Sequence, residues 1–416
     1  MSTAKKRQAA IPFILITLLL DVLGIGLIIP VLPKLVTHFQ GGDVSSASWY
    51  YGVFVASYAV MQFLFAPILG GLSDTYGRRP IILLSLAGAG FDYVLMAMAP
   101  SLGWLFLGRV LSGIKSANLT AASAYIADVS PPEKRAQNFG LMGACFGIGF
   151  VLGPAAGGLL GSLGPRVPFV AAAILTLCNA LYGLFVLPES HAVENRRPFS
   201  WKSANPIGSL AVLRSYPLVI GLTGTLLCAG FAQQILQSTW VLYTTYRFSW
   251  TELQNGLSLS VVGITAAVVQ GGLTRVLTPK LGERGAVVVG LLVAVVAFVG
   301  YGAVPEGWML YAVLVFGSLG GIAMPAAQAL ISKAVSPTEQ GKVQGALASL
   351  QSLTGIVGPL VATSLLGYFT SSAAPLVLPG AAFYLGALLM LVGALLAIRS
   401  YRHLPAEPQA APALTR

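Results

Sequence analysis

Residues 130–158, SPPEKRAQNFGLMGACFGIGFVLGPAAGG, are echoed at 336–363 by SPTEQGKVQGALASLQSLTGIVGPLVAT. In both, Ser-Pro opens a polar loop, an apolar helix follows, and a Gly-Pro pair falls deep within it. The chain therefore carries the same unit in each half. Duplicated halves with a site between them are a transporter architecture.

The surrounding sequence sets the solvent. Of 416 residues 56% are hydrophobic and only 9% charged, and the mean hydropathy is +0.80. Soluble domains carry about 25% charged residues, so this chain has too few to cover a wet surface. At about 20 apolar residues per crossing, spans are expected near 11–31, 50–70, 81–99, 102–122, 138–160 and 168–187. After a polar stretch they resume near 216–238, 254–274, 285–303, 308–330, 343–366 and 378–398. The expected fold is an all-α polytopic membrane protein with twelve transmembrane helices in two pseudo-symmetric six-helix bundles. The bundles fall at 1–190 and 216–400, joined by a cytoplasmic linker at 191–215. The Ala/Pro-rich tail, 401–416, is expected to be disordered.

The net charge of +11 is spread in short runs between apolar segments, a topology signal rather than a nucleic-acid surface. With the N-terminus cytoplasmic, nineteen of the 24 Lys and Arg fall on the cytoplasmic face, against Lys34, Arg166 and Arg247 outside. The positive-inside rule then places both termini on the cytoplasmic side, and the expected location is the cell (inner) membrane. Cys145, Cys178 and Cys228 all lie in apolar stretches, and His38, His191 and His403 in loops or tails. That pattern carries no disulfide framework and no metal site. Neither an enzyme nor a bound cofactor is expected.

Four charges lie inside spans. Asp21 sits about ten residues into the first helix, roughly 15 Å deep. Asp92 is a similar distance into the third, and Arg109 and Lys115 are in the fourth. A charge facing lipid at a helix centre costs about 2.5–3.5 kcal/mol, so these should face a cavity or one another. One reading is static ion pairs, Asp21 or Asp92 with Arg109 or Lys115. The other is proton coupling, since a carboxylate in a partly wet apolar cavity can bind and release a proton on opposite sides. The second half has no charge in its spans but carries amides, among them Gln233, Gln234, Gln237, Asn255, Gln270, Gln328 and Gln351. Gln233 and Gln237 share one helix face. Such groups serve either helix–helix hydrogen bonding or substrate contact. The asymmetry suggests ion coupling in the first half and substrate shape in the second.

Two motifs carry a resemblance. GGLSDTYGRRP, residues 70–80, is a tight basic loop in which Asp74 suits a helix N-terminus and Arg78 or Arg79 suits carboxylates or C-terminal carbonyls. It resembles the loop signature of the major facilitator superfamily at Gly70, Leu72, Asp74, Gly77, Arg78 and Arg79. Gly140, Gly149, Gly153, Pro154, Gly157 and Gly158 match that family's antiporter signature; the middle glycines form one smooth stripe for close helix contact. LGRVLSGI, with Arg109 and Gly113, is similar to a family pattern linked to proton coupling. Text around Asp21, Gln62, Asp92 and Asp128, and SLGGIAMPAAQ at 318–328, most resembles the tetracycline–proton antiporters and related drug exporters.

The resemblance implies proton-coupling roles for Asp92, Asp21 and Arg109. It also implies a cytoplasmic gate of Gly70, Asp74, Gly77, Arg78, Arg79 and Asp128, and a site-lining amide at Gln62. Lys115, Asn118, Gln233 and Gln237 join Gln62 as candidate substrate contacts. There are departures: the His and Asp expected in the second half are Ala266 and Ala294, and Lys115 replaces a small neutral residue. Lys115 would repel a cationic substrate unless an acid neutralises it, and would attract an anionic or zwitterionic one. The expected function is proton-coupled efflux of an amphipathic, tetracycline-like compound by alternating access. The alternatives are a metabolite uniporter or symporter of the same fold and, further off, a non-transporting receptor. The expected partners are a small-molecule substrate, protons and lipid, with no nucleic acid, and the monomer as the working unit.

Overall fold

The computed structural model describes residues 10–115, 118–196, 198–199, 217–336 and 339–401. The linker 191–215 thus lies largely outside the described residues, and the tail beyond 401 entirely so. Among the described residues the chain is helical, and ten stretches are long and apolar enough to cross a membrane.

The first membrane helices are α1 (Ala10–Ile28), a short α2 (Leu32–Phe39), α3 (Val44–Tyr76) and α4 (Arg78–Met98). α3 is longer at both ends than hydropathy suggests, because local chemistry sets its limits. Asp43 caps its start, its carboxylate accepting from the backbone N–H of Ser45 at 3.0 Å and of Ser46 at 3.1 Å. Gly77 ends it at φ +106°, a conformation that side chains with a Cβ resist. Next come α5 (Leu102–Lys115) and α6 (Asn118–Val129), where one span was expected at 102–122, then α7 (Arg135–Leu163) and α8 (Val167–Val186).

The later helices are α9 (Pro217–Phe248), α10 (Glu252–Val268), α11 (Thr274–Ala303), α12 (Gly307–Ser318), α13 (Ala323–Ala334), α14 (Gln340–Thr370) and α15 (Ala381–Tyr401). A π-helical turn, Val269–Leu273, runs α10 directly into α11, and Gly282 at φ +70° breaks α11. Helix therefore fills what was read as a loop between 274 and 285. One apolar stretch, Glu252–Ala303, is 52 residues long. If straight it would reach about 78 Å, more than twice the hydrocarbon thickness of about 30 Å.

The chain groups into two compact units: Met1–Asn205 with Val241–Gly263, and Pro206–Trp240 with Ile264–Arg416. In the first, Ile14 and Leu18 of α1, Ile82 and Leu86 of α4, and Tyr125 and Ile126 of α6 form a buried core. In the second, Trp240, Phe298, Tyr301 and Phe383 make an edge-to-face aromatic cluster with centroids 5.5–6.3 Å apart. Large apolar side chains remain exposed on helix flanks, including Leu84, Phe91, Ile174 and Phe185, as lipid-facing surfaces require.

Candidate functional site: charges within the first unit

Asp92 is buried, its side chain 1% exposed. It faces α5 along the Gly108–Ser112–Lys115 edge, positions that share a helix face. Oδ2 accepts from the Ser112 hydroxyl and stands 3.7 Å from the Lys115 ammonium. Oδ1 has no hydrogen-bond partner among the described residues. Gly108 makes the space: a methyl there would sit 3.1 Å from Oδ1 and 2.6 Å from Cγ of Met96. Lys115 also donates to the Gly88 carbonyl.

Arg109 points elsewhere, its guanidinium lying 4.7 Å from the centre of the Tyr58 ring of α3. This is a cation–π contact. Gln62 follows Tyr58 by one turn and is half-buried. Tyr93 lies in the field of Asp21, Asp92 and Arg109, and its ring is 3.7 Å from where a methyl on Gly24 of α1 would stand. All four in-span charges thus gather around Tyr93 and Asp92. Of the pairings the sequence left open, Asp92 with Lys115 is formed. Ser112, Tyr58, Tyr93 and Gly108 were missed; Ser112 and Gly108 stand at helical spacing from Lys115, whereas Tyr58 shares no helix with these charges.

The 70–80 loop builds a second cluster. Arg78 pairs with Asp74 at 2.5 Å and Asp128 at 3.2 Å, and donates to the Ser73 hydroxyl at 3.2 Å. Its backbone N–H donates to Glu189 at 2.9 Å. Arg79 donates to the Leu184 carbonyl at 2.6 Å, close to the C-terminus of α8. Asp128 also accepts from Ser190 at 3.3 Å and lies 3.5 Å from Nδ1 of His191. A methyl on Gly77 would come within 2.8 Å of the Glu189 carboxyl carbon, while one on Gly70 would have 3.8 Å to Thr120. Glu189 was not singled out in the sequence, and His191 was noted only as a loop histidine at the start of the linker.

The glycine signature splits by contact. Gly149, Gly153 and Gly157 receive α1 at Val22, Gly26 and Leu27. Gly158 and Gly161 face Glu252 and Leu253 of α10 instead. There the Ser260 hydroxyl donates to the Val151 carbonyl at 2.6 Å, and Glu252 pairs with Lys34 at 2.7 Å. Gly140 meets nothing within 4 Å, so the contact stripe begins at Gly149.

The second-half amides divide too. Gln233 and Gln237 are exposed on one face of α9. Asn255 is instead a packing residue, buried and accepting from the Thr244 hydroxyl at 2.6 Å. Gln328 accepts from Gln344 at 3.3 Å. Ala294 faces Gly320, its Cβ 3.4 Å from where a methyl on that glycine would lie. The side chain of Asn118 lies outside the described residues.

A helical multi-pass membrane chain with acids and bases gathered in its spans is a membrane transporter. The chain belongs to the major facilitator superfamily, whose family model matches residues 14–359 and 302–416. It is 43% identical over 381 residues to the class C tetracycline resistance protein of Escherichia coli, covering 91% of this chain and 96% of that one. It is 41% identical over 348 residues to the class D protein of Salmonella ordonez, covering 83% and 87%. Among solved structures it is similar to the human organic anion transporter MFSD10, with TM-score 0.67 and 27% identity, covering 94% of this chain and 99% of that one.

Proposed function

We propose that this transporter exports a tetracycline-like amphiphile in exchange for protons, with Asp92 as the coupled acid and Asp21 as its neighbour. The observation that carries the reading is the bare oxygen: Asp92 is buried, yet Oδ1 has no hydrogen-bond partner among the described residues and is left to take a proton. Each proton moving down a membrane potential supplies about 2.3 kcal/mol per 100 mV. That sustains a substrate gradient of roughly fiftyfold before any pH contribution.

The same reading takes the chain across the membrane twelve times as two six-helix bundles, at 1–190 and 216–400, with both termini in the cytoplasm. The 52-residue stretch Glu252–Ala303 counts as two crossings broken at Gly282. Residues 102–129 count as one more. Gln62, Asn118, Gln233 and Gln237 serve as substrate contacts. The Arg78 cluster, from Asp74 to Asp128, serves as the cytoplasmic gate. Ala266 and Ala294 leave coupling to the first half. One chain supplies both halves of the site and works as a monomer.

A uniporter or symporter is the second reading, favoured by the Asp92–Lys115 pair if that pair is static. Tetracycline uptake into energised inside-out vesicles separates the two. Export predicts gradient-driven uptake that is lost in Asp92→Asn. Wild-type uptake indifferent to an imposed proton gradient would leave the uniporter standing; no uptake by folded protein would remove the tetracycline assignment.

A further inference from the structure

Val241–Gly263 comes from the second half of the sequence yet groups with the first unit. It is a helical hairpin, the end of α9 and the start of α10, and it is braced from within. The Thr251 N–H donates to the Gln254 side-chain oxygen at 2.9 Å, and the Gln254 N–H donates to the Thr251 hydroxyl at 3.3 Å. This is a capping box, and it fixes where α10 begins. Asn255 then ties the two helices together, accepting from Thr244 at 2.6 Å and donating to Thr245 at 3.4 Å. A hairpin closed on itself in this way moves as one piece.

Its docking is of two kinds. Gly158 takes the backbone of Glu252 and Leu253, Gly161 takes the Glu252 side chain, and Gly256 takes the Pro154 carbonyl. Such contacts act only at touching distance, and smooth glycine faces set no register. The Lys34–Glu252 pair adds what they lack. At 2.7 Å it is a direct charged hydrogen bond, and its attraction reaches across about 8 Å at physiological ionic strength. Lys34 stands on α2 and Glu252 is the first residue of α10. The Glu252 side chain is 12% exposed and that of Lys34 40%. The carboxylate is thus fixed in the seam, while the ammonium can swing into water. A helix N-terminus favours the carboxylate there with or without Lys34.

We propose that this hairpin is an outer gate and that Lys34 and Glu252 pin it shut, a role that rests on the exporter and the topology read above. Substrate leaves outward when the hairpin lifts from α7 and Ser260 parts from the Val151 carbonyl. The charge pair then draws the returning hairpin into register from a distance at which the glycine contacts do not yet act. Neither residue touches substrate; both set how long the outer side stays open.

The test uses the full-length protein with Cys145, Cys178 and Cys228 changed to alanine and the buried Ser260→Cys as reporter. A membrane-impermeant maleimide is applied outside right-side-out vesicles. Labelling should be slow with the pair intact. Lys34→Met and Glu252→Gln should each quicken it at least threefold. The swap of Lys34→Glu with Glu252→Lys should bring it back to within twofold of the start. Raising external salt from about 0.1 M to about 1 M cuts the screening length from about 10 Å to about 3 Å. That should quicken labelling of the intact pair and leave Glu252→Gln unmoved, a response that a space-filling side chain would not give. Labelling unchanged in both single variants, a swap as fast as the singles, salt-indifferent labelling of the intact pair, or pair-dependent labelling in inside-out vesicles alone would each overturn the outer pin. The salt response of the intact pair stands even if a variant fails to fold. Pair-dependent labelling without proton-driven uptake would keep the gate and remove the exporter. Proton-driven uptake with labelling indifferent to the pair would do the reverse.

Discussion

Gly26 and Gly153 meet backbone to backbone: a methyl on Gly153 would lie 2.7 Å from Cα of Gly26, and one on Gly26 would lie 2.8 Å from Cα of Gly153. No side chain can turn aside to relieve such a contact. α1 and α7 approach this closely because both residues are glycine. Gly153→Ala should therefore destabilise the protein by about 1–3 kcal/mol, the usual cost of overpacking. Gly140→Ala, with open space around it, should be neutral or stabilising by up to about 1 kcal/mol through helix propensity. Thermal unfolding of the two variants, side by side in the same detergent, checks the contrast. Equal effects would remove the contact argument.

Arg78 binds two carboxylates and a hydroxyl with one planar head. Lysine has no planar fork to divide among three acceptors. Arg78→Lys should thus behave much like Arg78→Gln, with transport reduced at least several-fold, while Asp74→Asn should be milder because that side chain is 50% exposed. Initial uptake rates at matched protein levels decide it. A fully active Arg78→Lys would show that charge alone is needed.

Gly77 combines a positive φ of 106° with the Glu189 carboxylate and the Arg196 guanidinium 2.9 Å from where a methyl would stand. Gly77→Ala should cost about 1–3 kcal/mol from backbone strain alone. Adding Glu189→Ala should relieve only the steric part. A double-mutant comparison by thermal unfolding reads the two contributions separately.

Asp43, outside the membrane spans, has its carboxyl held below the usual range, chiefly by the Ser46 hydroxyl at 2.5 Å, against the opposing effect of burial and with help from the backbone N–H groups of Ser46 and Ser45. A lowered native pKa means the cap contributes fully above about pH 4, the unfolded value. The contribution fades as pH falls through the native value. Asp43→Ala should cost about 0.5–2 kcal/mol near neutrality, as lost N-caps do. Its difference from wild type should shrink as the solution is acidified toward pH 3. A difference that grew in acid would contradict the sign.

The apolar spans and the four charges within them were legible because composition and spacing alone separate lipid-facing from polar sequence. Which base Asp92 would choose was not. Arg109 and Lys115 lie on different faces of α5, and only the rotation of α5 against α4 decides between them. Helix limits were misjudged where a cap or a glycine overrides hydropathy, as at Asp43, Gly77 and Gly282. The Arg78 loop was recognised by its motif, but Glu189 and His191 come from sequence far away along the chain. Nothing in the local pattern said that they would return to it.

The seam between α7 and α10 is closely packed. Gly158 and Gly161 seat Glu252 and Leu253, and Ser260 donates the cross-helix hydrogen bond to Val151. Cohesion of this kind rests on many short-range contacts, and a gap of 0.5–1 Å already forfeits about a quarter to a half of each. Such a seam behaves as a catch rather than a spring. It resists small displacements, then lets go over a distance shorter than a single bond.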